Sequence, residues 1–126
     1  MKMFVYGTLL KGLQRERALA RSEFIGRAYI KGELYDLGRF PALKEGEGKV
    51  FGELYEIDER TLFCLDQIES YDPDNQQGSL YLRQNIAATL LHNQATVVTE
   101  TYLYNRSVEG RSTRIISGDY RDYLNL

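Results

Sequence analysis

Hydrophobic and polar positions along this chain alternate more often than they recur at three and four, a pattern that predicts a fold made mostly of strands. Met1 to Tyr6 alternates as a short strand and runs directly into Gly7. Gln14 to Arg21 follows as a short helix, with Leu13, Arg17 and Ala20 at helical spacing and no proline. From Phe24 to Leu37 the run FIGRAYIKGELYDL is rich in strand formers but interrupted by Gly26 and Gly32. Glycines inside strands mark bulges or sharp bends, as a small closed sheet requires. The stretch GRFPALKEGEGK, Gly38 to Lys49, reads as a turn-rich loop leading to the strand VFGELYEI. Gly-Glu-Leu-Tyr therefore occurs at Gly32 to Tyr35 and again at Gly52 to Tyr55. Two copies make no solenoid, and we read them as neighbouring strands with similar bends.

Asp58 stands where an N-cap belongs, ahead of ERTLFCLDQIESY, which has helical spacing and ends before Asp72-Pro73. Tyr71 to Gly78 is polar and reads as a loop. LYLRQNIAATLL and ATVVTETYLY then form two long strands joined by His92-Asn93-Gln94 as a hairpin. The tail from Asn105 onward is polar, then aromatic. Five or six strands against two helices, the first lodged between strands one and two, predict an α+β fold on a small, mixed, barrel-like sheet. No linker or low-complexity segment divides the chain, so residues 1–126 are expected to form a single domain.

Composition narrows the function. Sixteen basic and eighteen acidic residues give a formal net charge of −2, spread without a cationic stripe. That argues against partners such as nucleic acid or a membrane surface. The single cysteine, Cys64, rules out an intramolecular disulfide and any multi-cysteine metal site. Phe4-Val5-Tyr6 is too short for the apolar region of a signal peptide, and no segment reaches the length of a membrane span, so the expected setting is cytoplasmic.

Chemistry begins on the second helix. At about 100° per residue, Leu62, Leu65 and Glu69 fall within a narrow arc, which puts a carboxylate on the apolar face. Desolvation there raises a carboxyl pKa toward the range useful for a general base. Two readings stand at this point: Glu69 is that base, or it reaches solvent or pairs with an arginine such as Arg83. Asp66, one position off the stripe, is expected to face water or cap a neighbouring loop. The opening stretch Tyr6-Gly7-Thr8-Leu9 is either a plain strand-ending turn or a small anion-binding concavity, in which successive N–H groups point at a carboxylate or phosphate. It has neither the glycine spacing nor the lysine of a phosphate loop.

The ordered set VYGTLLKG, GRFPAL, GELYEID, LDQIESYD and YLR, with SGDYRDYL near the end, resembles the γ-glutamylcyclotransferase-like family, in particular its short members related to γ-glutamylamine cyclotransferase. The resemblance runs in order from Phe4 to about Arg83 and resumes in the tail. It implies a mixed-barrel fold, no metal and no organic cofactor. It also implies that Tyr6, Gly7, Thr8 and Leu9 form the loop that holds the α-carboxylate of a γ-glutamyl group, and that Glu69 is the general base. The substrate would be a small γ-glutamyl amide or amine whose free α-amino group attacks its own γ-carbonyl. The ring closes to 5-oxoproline and an amine leaves, with no water as reactant.

Other residues carry weaker signals. Tyr81 and Arg83 share a strand face by period two, and the resemblance sets that strand beside the site, where Arg83 contacts either substrate or an ion-pair partner at a strand edge. Tyr35 and the loop around Phe40 and Pro41 are candidates for pocket walls. The late tyrosines Tyr102, Tyr104, Tyr120 and Tyr123 line a pocket or form a half-buried shell, and the shell is the simpler reading. His92, in the hairpin turn, and Cys64, on the helix side away from Leu62 and Leu65, are not expected to be catalytic. Two rival functions remain: a binding module that senses a small carboxylate, and a hydrolase releasing glutamate. A pure anion binder gains nothing from a second carboxylate nearby, and no sequence feature positions a water. Which amine leaves, and how many copies assemble, are set by loop and surface shape and not by any motif.

Overall fold

The computed structural model describes residues 1–110 and 112–125. Arg111 and Leu126, both within the tail that the sequence reads as polar then aromatic, lie outside the described residues. Strands β1 (Lys2–Val5), β2 (Glu23–Asp36) and β3 (Pro41–Glu56) precede helix α1 (Glu59–Ile68). Strands β4 (Tyr81–Leu90), β5 (Thr96–Tyr104) and β6 (Thr113–Arg114) and the short helix α2 (Tyr120–Tyr123) follow it. The sheet runs β3-β1-β5-β4-β2-β6, and β3 also pairs with β2, so five strands close into a barrel. β1 lies parallel to β5, whereas the other pairings are antiparallel, which makes the barrel mixed. The expected α+β barrel-like fold is the observed one.

Closure depends on bends in β2 and β3. The β2–β3 register shifts between Phe24 and Gly26 and between Lys31 and Glu33, so both expected strand glycines mark irregularities. In the second shift Lys31 pairs with Lys49 but Glu33 pairs with Lys44, which extrudes the charged, glycine-containing residues 45–48. The expected loop from Gly38 to Lys49 is therefore shorter than its composition suggests. β3 starts at Pro41, and Ala42 and Leu43 are buried in the barrel wall. The two Gly-Glu-Leu-Tyr copies do lie on neighbouring strands. At Gly52 an added Cβ would sit 2.1 Å from the Val5 carbonyl oxygen, so only glycine lets β1 cross β3 this closely.

Strand alternation fills the interior. On β2 the even-numbered residues from Gly26 to Leu34 are buried, with Ile30 and Leu34 joining Phe4, Leu54, Leu65 and Tyr102 in one hydrophobic cluster. Leu65 is the one fully buried residue of α1, and its burial contributes about 1.5–3 kcal/mol toward docking the helix. The helix starts as expected, with the Asp58 carboxylate accepting from the Thr61 N–H at 2.8 Å. It ends earlier than its spacing predicts. The Ser70 N–H donates to the Gln67 carbonyl and the Tyr71 N–H to the Asp66 carbonyl, and Ser70 takes a φ of 54°. This left-handed turn ends the helix at Ile68 and makes Glu69 its C-cap, with the chain reversing beyond it.

The first expected helix is only a single 3-10 turn, Glu16–Leu19. Its N–H groups bond three residues back, Ala18 to Arg15 and Ala20 to Arg17, while the Arg15 N–H is diverted to the Thr8 carbonyl at 2.8 Å. The segment is thereby tied to the loop after β1. The β4–β5 hairpin matches its expectation: Gln94 closes the turn with a φ of 58°, and Thr89 faces Thr96 in the ladder. Among the described residues no helix is long and apolar enough to cross a membrane.

Candidate active site

The loop after β1, the C-terminal end of α1 and the starts of β3 and β4 converge on one cavity of about 160 Å³. Tyr6, Gly7, Thr8 and Leu9 line one side and Glu69 lines another, so the two sequence signals open onto the same space. Its floor is aromatic. Tyr6 donates to the Tyr102 carbonyl at 2.6 Å, Tyr81 donates to the Pro41 carbonyl at 2.8 Å, and Tyr102 donates to Asp66 Oδ1 at 2.6 Å. Each hydroxyl is thus committed to the protein, and burial pushes all three phenols well up from their ordinary pKa. These tyrosines act as walls. Phe40 and Pro41 close the cavity beside Gly7.

Gly7 is required by sterics. A Cβ built there would lie 2.7 Å from Pro41 Cγ, so a larger residue would force the start of β3 away from the loop. Beyond Gly7 the chain turns, with the Leu10 N–H donating to the Gly7 carbonyl at 3.0 Å. The N–H groups of Gly7, Thr8 and Leu9 find no acceptor among the described residues. Three consecutive unpaired donors on a cavity wall favour an anion.

Glu69 is half-buried, and its carboxylate makes no hydrogen bond with another described residue. Burial pushes its pKa up to about 7, opposed by the positive charge of Arg15. The apolar-face prediction from Leu62, Leu65 and Glu69 therefore locates a carboxyl group held near neutrality. Of the alternatives, reaching solvent or pairing with an arginine such as Arg83, the Arg83 pair is not formed, while Glu69 itself remains half-buried. Arg83 Nε donates to Asp66 Oδ1 at 3.1 Å and Nη1 to Glu100 Oε1 at 3.3 Å, all three side chains being largely buried. This corrects two expectations at once, because Asp66 is neither solvated nor a loop cap, and Arg83 does not line the cavity. Tyr81 faces the cavity, and Arg83, one step further along β4, has passed its edge.

Tyr35 is also absent from the cavity. Leu34 takes the inward position on β2, so alternation turns Tyr35 outward, where its hydroxyl donates to Glu33 Oε1 at 2.9 Å. Cys64 is exposed on α1 and His92 is exposed in the hairpin turn, both away from the cavity lining. Among the late tyrosines, Tyr102 lines the cavity and Tyr104, Tyr120 and Tyr123 do not. Sequence reading missed Arg15, Ser70 and Leu80, which complete the rim. Arg15 carried no signal because its place depends on a bond to Thr8 that no periodicity encodes. Among the described residues no group of three His, Cys, Asp or Glu side chains is disposed to hold a metal ion.

The family model described as Gamma-glutamyl cyclotransferase, AIG2-like matches residues 3–122. A gamma-glutamylcyclotransferase family protein of Escherichia coli strain K12 is 33% identical over 123 residues, covering 97% of each chain. A putative gamma-glutamylcyclotransferase of Vibrio cholerae is 46% identical over 80 residues, 62% of this chain and 70% of that one. The crystal structure of an uncharacterized protein from Pyrococcus horikoshii superposes with a TM-score of 0.76 at 25% identity, covering 99% of this chain and 93% of the other. With the barrel, the loop after β1 and the match over nearly its whole length, the chain belongs to the Gamma-glutamyl cyclotransferase, AIG2-like family.

Proposed function

We propose that the protein is a cyclotransferase that cleaves a small γ-glutamyl amide or amine into 5-oxoproline and a free amine, with Glu69 as general base. One observation carries this reading: an unpartnered carboxyl group with a pKa of about 7 opens into the same cavity as three unpaired loop amides. The Gly7, Thr8 and Leu9 amides take the substrate's α-carboxylate, and hydrogen bonds to a charged group contribute roughly 1.5–3 kcal/mol each. Fixing that end folds the γ-glutamyl chain back on itself, so the α-amino nitrogen lies against the γ-carbonyl carbon. Orientation of this kind converts a floppy chain into a near-attack geometry.

The α-amino group is protonated at neutral pH, with a pKa of about 8 or above, and cannot attack until it loses a proton. An ordinary glutamate lies several pK units below it. At about 7, Glu69 lies close enough for the transfer to be nearly balanced. The amine nitrogen then bonds to the γ-carbon and gives up a second proton, the bond from that carbon to the leaving nitrogen breaks, and both protons, relayed by Glu69, leave on the departing amine as its ammonium form. Atoms balance without water. This accounts for an aromatic, largely apolar lining with no nucleophilic side chain assigned to the reaction.

The test is incubation with γ-glutamyl amines, γ-glutamyl amino acids and glutathione, followed by mass spectrometry. Release of 5-oxoproline from at least one of them is expected. Release of free glutamate instead would identify a hydrolase. Saturable binding of 5-oxoproline with no turnover of any member would identify a carboxylate-binding module.

A further inference from the structure

Arg15 and Glu69 are the only charged side chains among the described residues that line the cavity. Arg27, Arg83, Arg114 and Arg121 each have a carboxylate partner; Arg15, like Arg17, Arg21, Arg39, Arg60 and Arg106, has none among the described residues, and of these only Arg15 lines the cavity. It is close enough to Glu69 to lower that group's pKa, yet the two do not pair. The cavity therefore holds two features that accept an anion: the loop amides and the Arg15 guanidinium. They sit on different segments: Gly7 and Leu9 of the loop are buried and Thr8 is half-buried, while Arg15, also half-buried, comes from the segment before the 3-10 turn, and the exposed Ser70 lines the same cavity.

A γ-glutamyl head carries only one carboxylate. The cavity volume of about 160 Å³ is well below the roughly 300–1,000 Å³ of sites that enclose a drug-sized ligand, so it encloses the head and leaves the departing half at the rim. Resting on the cyclotransferase reading above, we propose that Arg15 is a specificity residue that pairs with a carboxylate on the leaving half of the substrate. The preferred leaving groups are then amino acids and not simple amines. A guanidinium presents two parallel donors to a carboxylate, which suits it to this task better than a lysine. Ser70, next in sequence to Glu69, is exposed and lines the same cavity, which gives the departing amino acid a way out to solvent.

The decisive pair of substrates is γ-glutamyl-L-alanine and γ-glutamyl-isopropylamine, in which the leaving-group carboxylate is replaced by a methyl group. Their kcat/KM ratio is read in the wild-type chain, in Arg15→Gln and in Arg15→Lys, with thermal midpoints measured on the same preparations. The wild-type ratio should favour the alanine compound by about tenfold or more, as expected for one charge-assisted contact. In Arg15→Gln the ratio should collapse toward one, mainly through KM, and Arg15→Lys should recover part of it. Because loss of Arg15 also alters Glu69, both substrates share any change in base strength and the ratio cancels it. A ratio that is unchanged in Arg15→Gln while both substrates weaken together would overturn the proposal and assign Arg15 to the γ-glutamyl carboxylate. A wild-type ratio near one would overturn it equally. No 5-oxoproline from either substrate would instead bring down the cyclotransferase reading on which it stands.

Discussion

Glu53 and Glu69 are two carboxylates near the same loop, and their surroundings could hardly differ more. Glu53, on β3, is 3% exposed and fully engaged. Its Oε1 accepts the Lys11 N–H and the Tyr55 hydroxyl, each at 3.0 Å, and its Oε2 accepts Arg121 at 3.2 Å. Arg121 also donates to the Lys11 carbonyl, so α2 is fastened to the end of the loop after β1. Glu69 has none of this. Its carboxylate has an aromatic cavity in front of it and no protein donor. A buried charge with both oxygens engaged is scaffold, whereas one that is desolvated and unengaged costs free energy unless something else meets it. The contrast separates the two roles more sharply than burial alone, by which Glu53 would be the odder residue.

The largest effect expected from this contrast is on turnover. Glu69→Gln keeps size and hydrogen-bonding reach but cannot accept a proton, so 5-oxoproline release should fall by about two to four orders of magnitude while 5-oxoproline still binds. Isothermal titration and product assay on one preparation check both halves. Undiminished turnover on an established substrate would remove Glu69 as the base. At Glu53 the order reverses. Glu53→Ala strands the partly buried Lys11 amide, a buried tyrosine hydroxyl and Arg121, which should lower stability by roughly 2–4 kcal/mol in chemical denaturation. If Glu53→Ala melted like the wild type, the claim that full engagement marks scaffold would fail.

A third expectation concerns pH. The folded-state pKa of Glu69 is raised from 4.5 to about 7, so the native state binds a proton that the unfolded chain has already released across that interval. The stability linked to this proton is complete below about 4.5 and is lost as pH rises through 7. At pH 8 the loss amounts to about 2–3 kcal/mol. Glu69→Gln abolishes the dependence, so the variant should gain on the wild type between pH 4.5 and 8, even as it loses activity. On an active substrate, kcat/KM of the wild type should rise with pH through about 7 as the base ionises. A flat stability difference between the two proteins over this range would mean that Glu69 is not desolvated in solution.

How much of this was legible in the sequence depends on the range of the interactions involved. The Asp58 cap and the placement of Glu69 follow from spacings of three to seven residues, and both were readable. The barrel was readable because β2 and β3 need bends and carry glycines where the register shifts. Leu34 and Tyr35 show a signal passed over: alternation on β2 continues unbroken through the second register shift, whose extra residues all lie on β3, so Leu34 turns inward and Tyr35 outward. The Gly38–Lys49 segment misled because its charges and glycines are real, but the ladder extrudes just four of those residues. Asp66 looked solvated because its partners, Arg83 and Tyr102, are 17 and 36 residues away. Arg15 was silent because a loop bond to Thr8, which no periodicity encodes, sets its place.

The smallest effect tests how Glu69 is held without side-chain partners. Its position is fixed by backbone: Leu65 anchors the helix, and the left-handed turn at Ser70 ends it. A non-glycine residue at a φ of 54° is strained, and Ser70 carries a side chain where glycine is the usual occupant of this cap. Ser70→Gly should therefore stabilise the protein by up to about 1 kcal/mol. The relief of strain is partly offset by the greater freedom of glycine in the unfolded chain. A β-branched residue has the opposite consequence, because a branched side chain is poorly tolerated at positive φ. Ser70→Val should melt lower than wild type and shift the pH at which kcat/KM rises, since the helix end that carries Glu69 would have to move. Glu53, held by its own hydrogen bonds, should be indifferent to both substitutions. If Ser70→Val left the pH profile untouched while lowering the melting temperature, the cap would be a stability element only, and the placement of Glu69 would rest on Leu65 and the packing of α1.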